Sequence, residues 1–151
     1  MRLILQRVSE ASVTVAGNTV GSIGTGLVIL AGMAKSDTES EVDHLADKVL
    51  GLRIFPDSEG KMNRTVVEAG GSLLVVSQFT LYGDCRKGRR PSFDQAAVPE
   101  QAQSLYNYFV ERLRAGPVPV ATGIFQAAME VHLVNQGPVT ILMDTADWNK
   151  K

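Results

Sequence analysis

The segment Ser77-Gln78-Phe79-Thr80-Leu81 puts three polar side chains at the end of an apolar run, Leu73 to Val76. Hydroxyls and an amide in such a place can bind a polar substrate or orient water. A threonine hydroxyl attacks a carbonyl carbon only with a base or another activating device, and nothing in the segment supplies one. Read as a continuing strand, it sets Ser77 and Phe79 on one face and Gln78 and Thr80 on the other. The plain alternative is a strand emerging into solvent. A second segment, Asn135-Gln136-Gly137-Pro138-Val139-Thr140, sets Gly beside Pro between two apolar stretches. Such a pair ordinarily marks a turn. An X-Pro bond also adopts the cis form far more readily than other peptide bonds, and a cis bond would fix the neighbouring carbonyl oxygens in unusual directions.

The familiar catalytic constellations are missing. His44 and His132 are far apart and belong to no metal-ligand pattern, so both read as structural. Cys85 has cationic neighbours that would favour its thiolate, but no histidine or aspartate is placed with it by sequence, and it reads as incidental. Gly21-Ser22-Ile23-Gly24-Thr25-Gly26 imitates a phosphate loop, yet it joins two strands and lacks the helix N-terminus that makes such loops bind anions. Arg86, Lys87, Arg89 and Arg90 surround Gly88. They form either a solvated loop or a set of phosphate contacts. No metal or cofactor is expected. An enzyme with so little acid–base machinery suits a reaction that starts easily. An activated ester is such a substrate: the protein would mainly position it and stabilise an oxyanion.

The elements that must hold these groups follow from patterning. With 151 residues, 44% apolar and 21% charged, the chain reads as one globular domain over residues 1–151. A net charge of −1 argues against a basic protein that coats nucleic acid, DNA included. No stretch is long and apolar enough for a membrane span, and no signal peptide is visible. The lone Cys85 suits a reducing cytoplasm. Leu3 to Leu5 and Val13 to Val15 read as two strands, with a tight turn at Gly17-Asn18 before Val20. Leu27 to Ala31 reads as a strand buried on both faces. Thr38 and Glu41 have capping-box spacing ahead of a helix with Val42, Leu45, Ala46, Val49 and Leu50 on one stripe, ended by Gly51. Leu52 to Phe55 reads as a short strand stopped by Pro56. Pro99 opens a second helix, which Gly116-Pro117 terminates. Met129 to Leu133 and Val139 to Met143 read as two further strands, the first half-buried. Gly83 to Pro99 is the longest stretch without regular structure, and long loops in compact domains are often functional. Strands and helices come in blocks, which predicts an α+β fold of mixed or antiparallel sheet with two main helices.

Taken together, these segments resemble the D-aminoacyl-tRNA deacylase family. Gln6-Arg7-Val8, Ala11-Ser12-Val13, Leu52 to Phe55, Gly60 to Asn63, Val76 to Leu81, Gly88 to Phe93 and Asn135 to Thr140 look like family signatures, in family order. The most specific are Ser-Gln-Phe-Thr-Leu and Asn-x-Gly-Pro-x-Thr. The resemblance implies the fold of that family and a homodimer with active sites at the subunit interface. It implies that Gly137-Pro138 is a cis pair inserted into the partner's pocket, its carbonyl oxygens facing the amino acid, with Arg7 helping to hold the loop. Ser77, Gln78, Phe79 and Thr80 would line the site around the terminal adenosine and the ester, with Gln78 and Thr80 as catalytic residues. Phe125 and Met129 would form walls. Arg86, Lys87, Arg89 and Arg90 would contact the tRNA backbone.

Two departures stand out. Where the family commonly reads Gly-x-Phe-Gly-Ala-x-Met, this chain has Gly123-Ile124-Phe125-Gln126-Ala127-Ala128-Met129. If the backbone there needs a positive φ, Gln126 is strained. The residue before Gly137 is often Asp and here is Gln136, a change expected to be neutral. Two other functions fit the same residues: a non-catalytic module that binds tRNA ends or D-amino acids, and a small-molecule esterase that depends on Thr80.

Overall fold

The computed structural model describes residues 1–149. The chain opens with one long strand, β1 (Arg2–Val15), then β2 (Asn18–Ile23) and β3 (Gly26–Gly32). Helix α1 (Glu39–Gly51), the short strands β4 (Phe55–Pro56) and β5 (Met62–Arg64), and β6 (Ser72–Ser77) follow. A 3-10 turn over Phe79–Tyr82 leads through a long loop to helix α2 (Pro99–Arg114), then β7 (Val120–Thr122) and β8 (Glu130–Asp144).

Strand β1 is the hub. One edge pairs antiparallel with β3 near its start and with β2 near its end; the other edge pairs antiparallel with β8. Beyond β3 the sheet continues in parallel through β6 and β7. Parallel neighbours need crossover connections, and these carry α1 and α2. The result is the α+β architecture with two helices expected from the sequence.

Two cores flank the sheet. Leu27, Ile29 and Ala31 of β3 join the larger one, beneath α1 and α2, with Val42, Leu45, Val49, Leu105, Phe109 and Leu113. Val28, from the opposite face of β3, joins Val8, Ala11, Val13, Leu74 and Val76 in the smaller one. That burial on both sides is why β3 is unbroken in its apolar character. Each fully buried Leu, Ile or Val here contributes about 1.5–3 kcal/mol. The cap of α1 forms as its spacing predicts: Ser40 N–H donates to the Thr38 hydroxyl at 3.3 Å and Thr38 N–H to the Glu41 carboxylate at 2.7 Å. Pro99 occupies the first turn of α2, where its missing N–H costs nothing.

The structure corrects several expected boundaries. Leu3–Leu5 and Val13–Val15 belong to one strand, whose register shifts near Val8 break the alternation without ending the pairing. Its turn to β2 is Ala16-Gly17, both at positive φ, rather than Gly17-Asn18. Residues 52–54 are not a strand; only Phe55 and Pro56 pair, with β5, so Pro56 lies within the short strand it was expected to stop. The two expected C-terminal strands are one, β8, and Gly137-Pro138 is a bulge inside it instead of a turn between strands. Most of β8 is solvent-exposed, with Met143 buried. Finally, Ser77 to Leu81 does not continue as strand: β6 ends at Ser77 and the chain turns helically at Phe79.

Candidate active site

A cleft of about 770 Å³ opens at the C-terminal end of β6, between the 3-10 turn, the start of α2 and the segment preceding β8. Ser77, Gln78, Phe79, Thr80, Phe125 and Met129 all line it. Much of the remaining lining is apolar and small, including Ala31, Ala96, Ala97 and Ala102. A concave apolar site with a few convergent polar groups is the ordinary form of a ligand pocket.

The turn that carries the polar groups is held from three directions. Gln78 N–H donates to the Ala31 carbonyl at 2.8 Å, which extends the β3 pairing by one residue. Gly32 lies against the turn so closely that a Cβ there would sit 3.0 Å from both the Gln78 carbonyl oxygen and Leu81 Cβ. Arg2 donates to the Leu81 carbonyl at 2.8 Å, stacks over the Tyr82 ring at 4.5 Å and pairs with Asp144 at 2.7 Å. Burial raises the Tyr82 hydroxyl pKa well above its usual range. Within the turn, Gln78 Nε2 donates to Thr80 Oγ1 at 3.0 Å. The helical turn thus brings together the two side chains that strand alternation had placed on one face. The N–H groups of Phe79 and Thr80 precede the first hydrogen bond of the turn, from Leu81 N–H to the Gln78 carbonyl; such leading N–H groups have no partner within their own helix.

The walls are positioned by packing. Phe125 lies 6.0 Å from the ring of Tyr106, whose hydroxyl donates to the Val75 carbonyl at 2.8 Å and is pushed up to about 12 by burial. Met129 rests on Gly123, where a Cβ would lie 2.5 Å from its sulfur. Phe79 is 56% exposed and meets Phe93 edge to face at 5.1 Å, so an aromatic pair stands at the cleft. Phe93 ends one of the signature segments, but the sequence assigns no role in the site to it or to Arg2. Their partners are distant along the chain, so local patterning does not show what either one touches.

Arg7, Gly137 and Pro138 are elsewhere: none lines the cleft of its own chain. The Gly137-Pro138 bond is cis. Residues 136–139 loop out opposite the single residue Arg7 of β1. Arg7 is 9% exposed; it donates to the Gln136 carbonyl at 3.2 Å and the Ile54 carbonyl at 2.7 Å. Asn135 braces the loop from its base, accepting from Val139 N–H at 3.1 Å and donating to the Thr140 hydroxyl at 3.0 Å. The outer residues of the Asn-x-Gly-Pro-x-Thr pattern are therefore the loop's own scaffold.

The basic residues also stand outside the cleft but beside its mouth. Asp84 and Ser92 exchange backbone hydrogen bonds of 2.7 and 2.9 Å, which close a projecting loop just before Phe93. Arg86 is tied back to Asp84 at 2.7 Å, and its guanidinium holds the Asp84 carboxyl down to about 2. Among the described residues no ion pair engages Lys87, Arg89 or Arg90, all exposed. Cys85 is exposed on the same loop. His132 is exposed beside Glu130, and His44 packs on Trp148 at 4.5 Å; neither lines the cleft. No helix among the described residues is long and apolar enough to cross a membrane.

Fold and cleft define an α+β protein with a positioning site at the ends of two parallel strands, built from a polar turn and apolar walls. The model of the D-Tyr-tRNA(Tyr) deacylase family matches residues 4–144, and the chain belongs to that family. It is 66% identical to a D-aminoacyl-tRNA deacylase of Solibacter usitatus, with all of both chains covered. It is 62% identical to one of Symbiobacterium thermophilum, over 96% of each. Among solved structures it is similar to the c-Myc DNA Unwinding Element Binding Protein, at 42% identity and a TM-score of 0.90, covering 95% of this chain and 98% of that one. It also shares the fold of a probable eukaryotic D-amino acid tRNA deacylase, at 20% identity and a TM-score of 0.81, covering 94% of this chain and 97% of that one.

Proposed function

We propose that this protein, acting as a single domain in the cytoplasm, hydrolyses the ester bond of D-aminoacyl-tRNA and releases the free D-amino acid and the tRNA. The observation that carries this is the cleft itself: the Ser77–Thr80 turn meets apolar walls there without an acid–base pair, in a chain of this family. An aminoacyl ester is already activated, so positioning and oxyanion stabilisation suffice. The N–H groups of Phe79 and Thr80 hold the developing oxyanion. Gln78 and Thr80 orient water and the terminal adenosine. The vicinal 2′-hydroxyl of that ribose, which RNA alone provides, assists the attack.

Chirality is read by the partner subunit of a homodimer. Support comes from β8, whose exposed Val134 (49%) and Leu142 (63%) suit burial against a second copy, and from a Gly137-Pro138 loop that stands away from its own cleft. Inserted into the other subunit's cleft, its carbonyl oxygens bond the amino group of a D-residue. An L-residue drives its side chain into the same wall, and such clashes reject effectively. Glycine has no side chain to clash, so glycyl-tRNA mischarged on tRNA(Ala) is also a substrate. Lys87, Arg89 and Arg90 contact the tRNA backbone, with Arg86 joining if it leaves Asp84.

The test is ester loss from D-tyrosyl-tRNA beside D-tyrosine methyl ester. Hydrolysis of the tRNA ester alone is expected. Turnover of the small ester at a comparable rate would instead indicate a general esterase, and binding without loss of either ester a non-catalytic module.

A further inference from the structure

Gln126 holds a backbone conformation that glutamine rarely adopts, with φ of 64°. It is the third residue of a tight turn closed by Ala127 N–H to the Ile124 carbonyl at 3.2 Å. Where that position takes a positive φ, glycine is the usual occupant because it carries no Cβ. Gln126 is exposed and is one of the residues lining the cleft. The other polar side chains of the lining are Ser77, Gln78 and Thr80, and the last two bond each other. Among the described residues nothing in the chain hydrogen-bonds the Gln126 carboxamide. A strained residue kept at a binding cleft, its amide free of partners in the chain, points to a role toward the ligand, because glycine would remove the strain at once.

On the deacylase reading above, we propose that Gln126 is a specificity residue that reads the base edge of the substrate's terminal adenosine. A carboxamide offers a donor and an acceptor side by side. Adenine presents the matching pair, the N7 acceptor and the N6 amino donor, whereas guanine presents two acceptors on the same edge. Phe79 and Phe93, exposed at the same cleft, supply the apolar surface on which a base can stack.

The experiment compares D-tyrosyl-tRNA ending in adenosine with the same tRNA ending in 7-deazaadenosine, which lacks the N7 acceptor, for the wild type, Gln126→Gly and Gln126→Glu. The wild type is expected to lose about tenfold in kcat/KM on the deaza end, roughly one hydrogen bond. Gln126→Gly should lose about tenfold on the adenosine end, carried by KM, and should no longer distinguish the two ends. Gln126→Glu keeps the length, loses the amide donor and should behave likewise. A Gln126→Gly protein that keeps the wild-type KM and the wild-type preference for adenosine would overturn the proposal. A folded wild type inactive on both ends would overturn the deacylase reading and this inference with it; activity without discrimination would overturn this inference alone.

Discussion

Gln78 donates its side-chain N–H to the Thr80 hydroxyl at 3.0 Å, so the hydroxyl best placed to act as a nucleophile is partnered by a neutral amide. An amide does not accept the proton that a threonine must lose to attack. Replacing Thr80 with Ala is therefore expected to lower single-turnover deacylation by about tenfold, through poorer positioning. A fall of about a millionfold, as when a triad nucleophile is removed, would make Thr80 the nucleophile.

Arg7 links two carbonyls that belong to different parts of the chain, Gln136 beside the Gly-Pro pair and Ile54 before β4. Arg7→Ala is expected to cost about 3 kcal/mol of stability by denaturant titration, the scale of hydrogen bonds from a charged donor. It should also blunt discrimination between D- and L-esters. Arg7→Lys keeps the charge but not the forked donors and should fall between the two. Lost stability with intact discrimination would leave Arg7 a purely structural role.

Asp144 and Arg2 clamp the polar turn, and their pairing has a pH signature. Burial alone would raise the Asp144 carboxyl, but hydrogen bonds from Arg2 and from Ala146 N–H outweigh it, and the pKa lies below the ordinary value. A depressed carboxyl contributes stability above its unfolded pKa, about 3.9, and loses it as pH falls through the folded value. Wild type should thus exceed Asp144→Asn by a constant margin from about pH 5 to about pH 7, and the margin should shrink below about pH 4. Thermal melts across that range measure it. A margin independent of pH would show that the ionised pair contributes nothing.

Gln126→Gly should stabilise the fold although it removes a side chain. A left-handed conformation costs a non-glycine residue about 1–2 kcal/mol, and the added backbone freedom of glycine returns about 0.4–1 kcal/mol to the unfolded state. A net gain of about 0.5–1 kcal/mol is expected, or a Tm rise of about 2 °C. A lower Tm would mean that the glutamine side chain packs favourably enough to outweigh its backbone.

Local rules were readable in the sequence where local forces decide. The Thr38–Glu41 cap, Pro99 at the start of α2 and the doubly buried β3 all follow from side chains acting within a turn or a strand. The 3-10 turn at Phe79 was hidden because nothing in Ser77 to Leu81 breaks a strand. It is imposed by the close approach of Gly32 and the bonds of Arg2, both far away in sequence. The continuity of β1 and β8 was hidden too, because bulges interrupt alternation without interrupting pairing. In the cleft, Ser77 to Thr80, Phe125 and Met129 were legible as motif residues; Phe93 was legible only as the end of a signature segment, its pairing with Phe79 and the clamp by Arg2 being set by tertiary packing.

The most direct test of the central claim is the rate of ester loss from matched D-tyrosyl- and L-tyrosyl-tRNA under single-turnover conditions. Hydrolysis of the D-ester should be faster by about a hundredfold or more, the range reached when a wrong ligand meets a rigid wall or leaves buried groups unpaired. Equal loss of both esters would keep the hydrolase and remove the chiral filter. Loss of neither by folded protein would contradict the deacylase function itself.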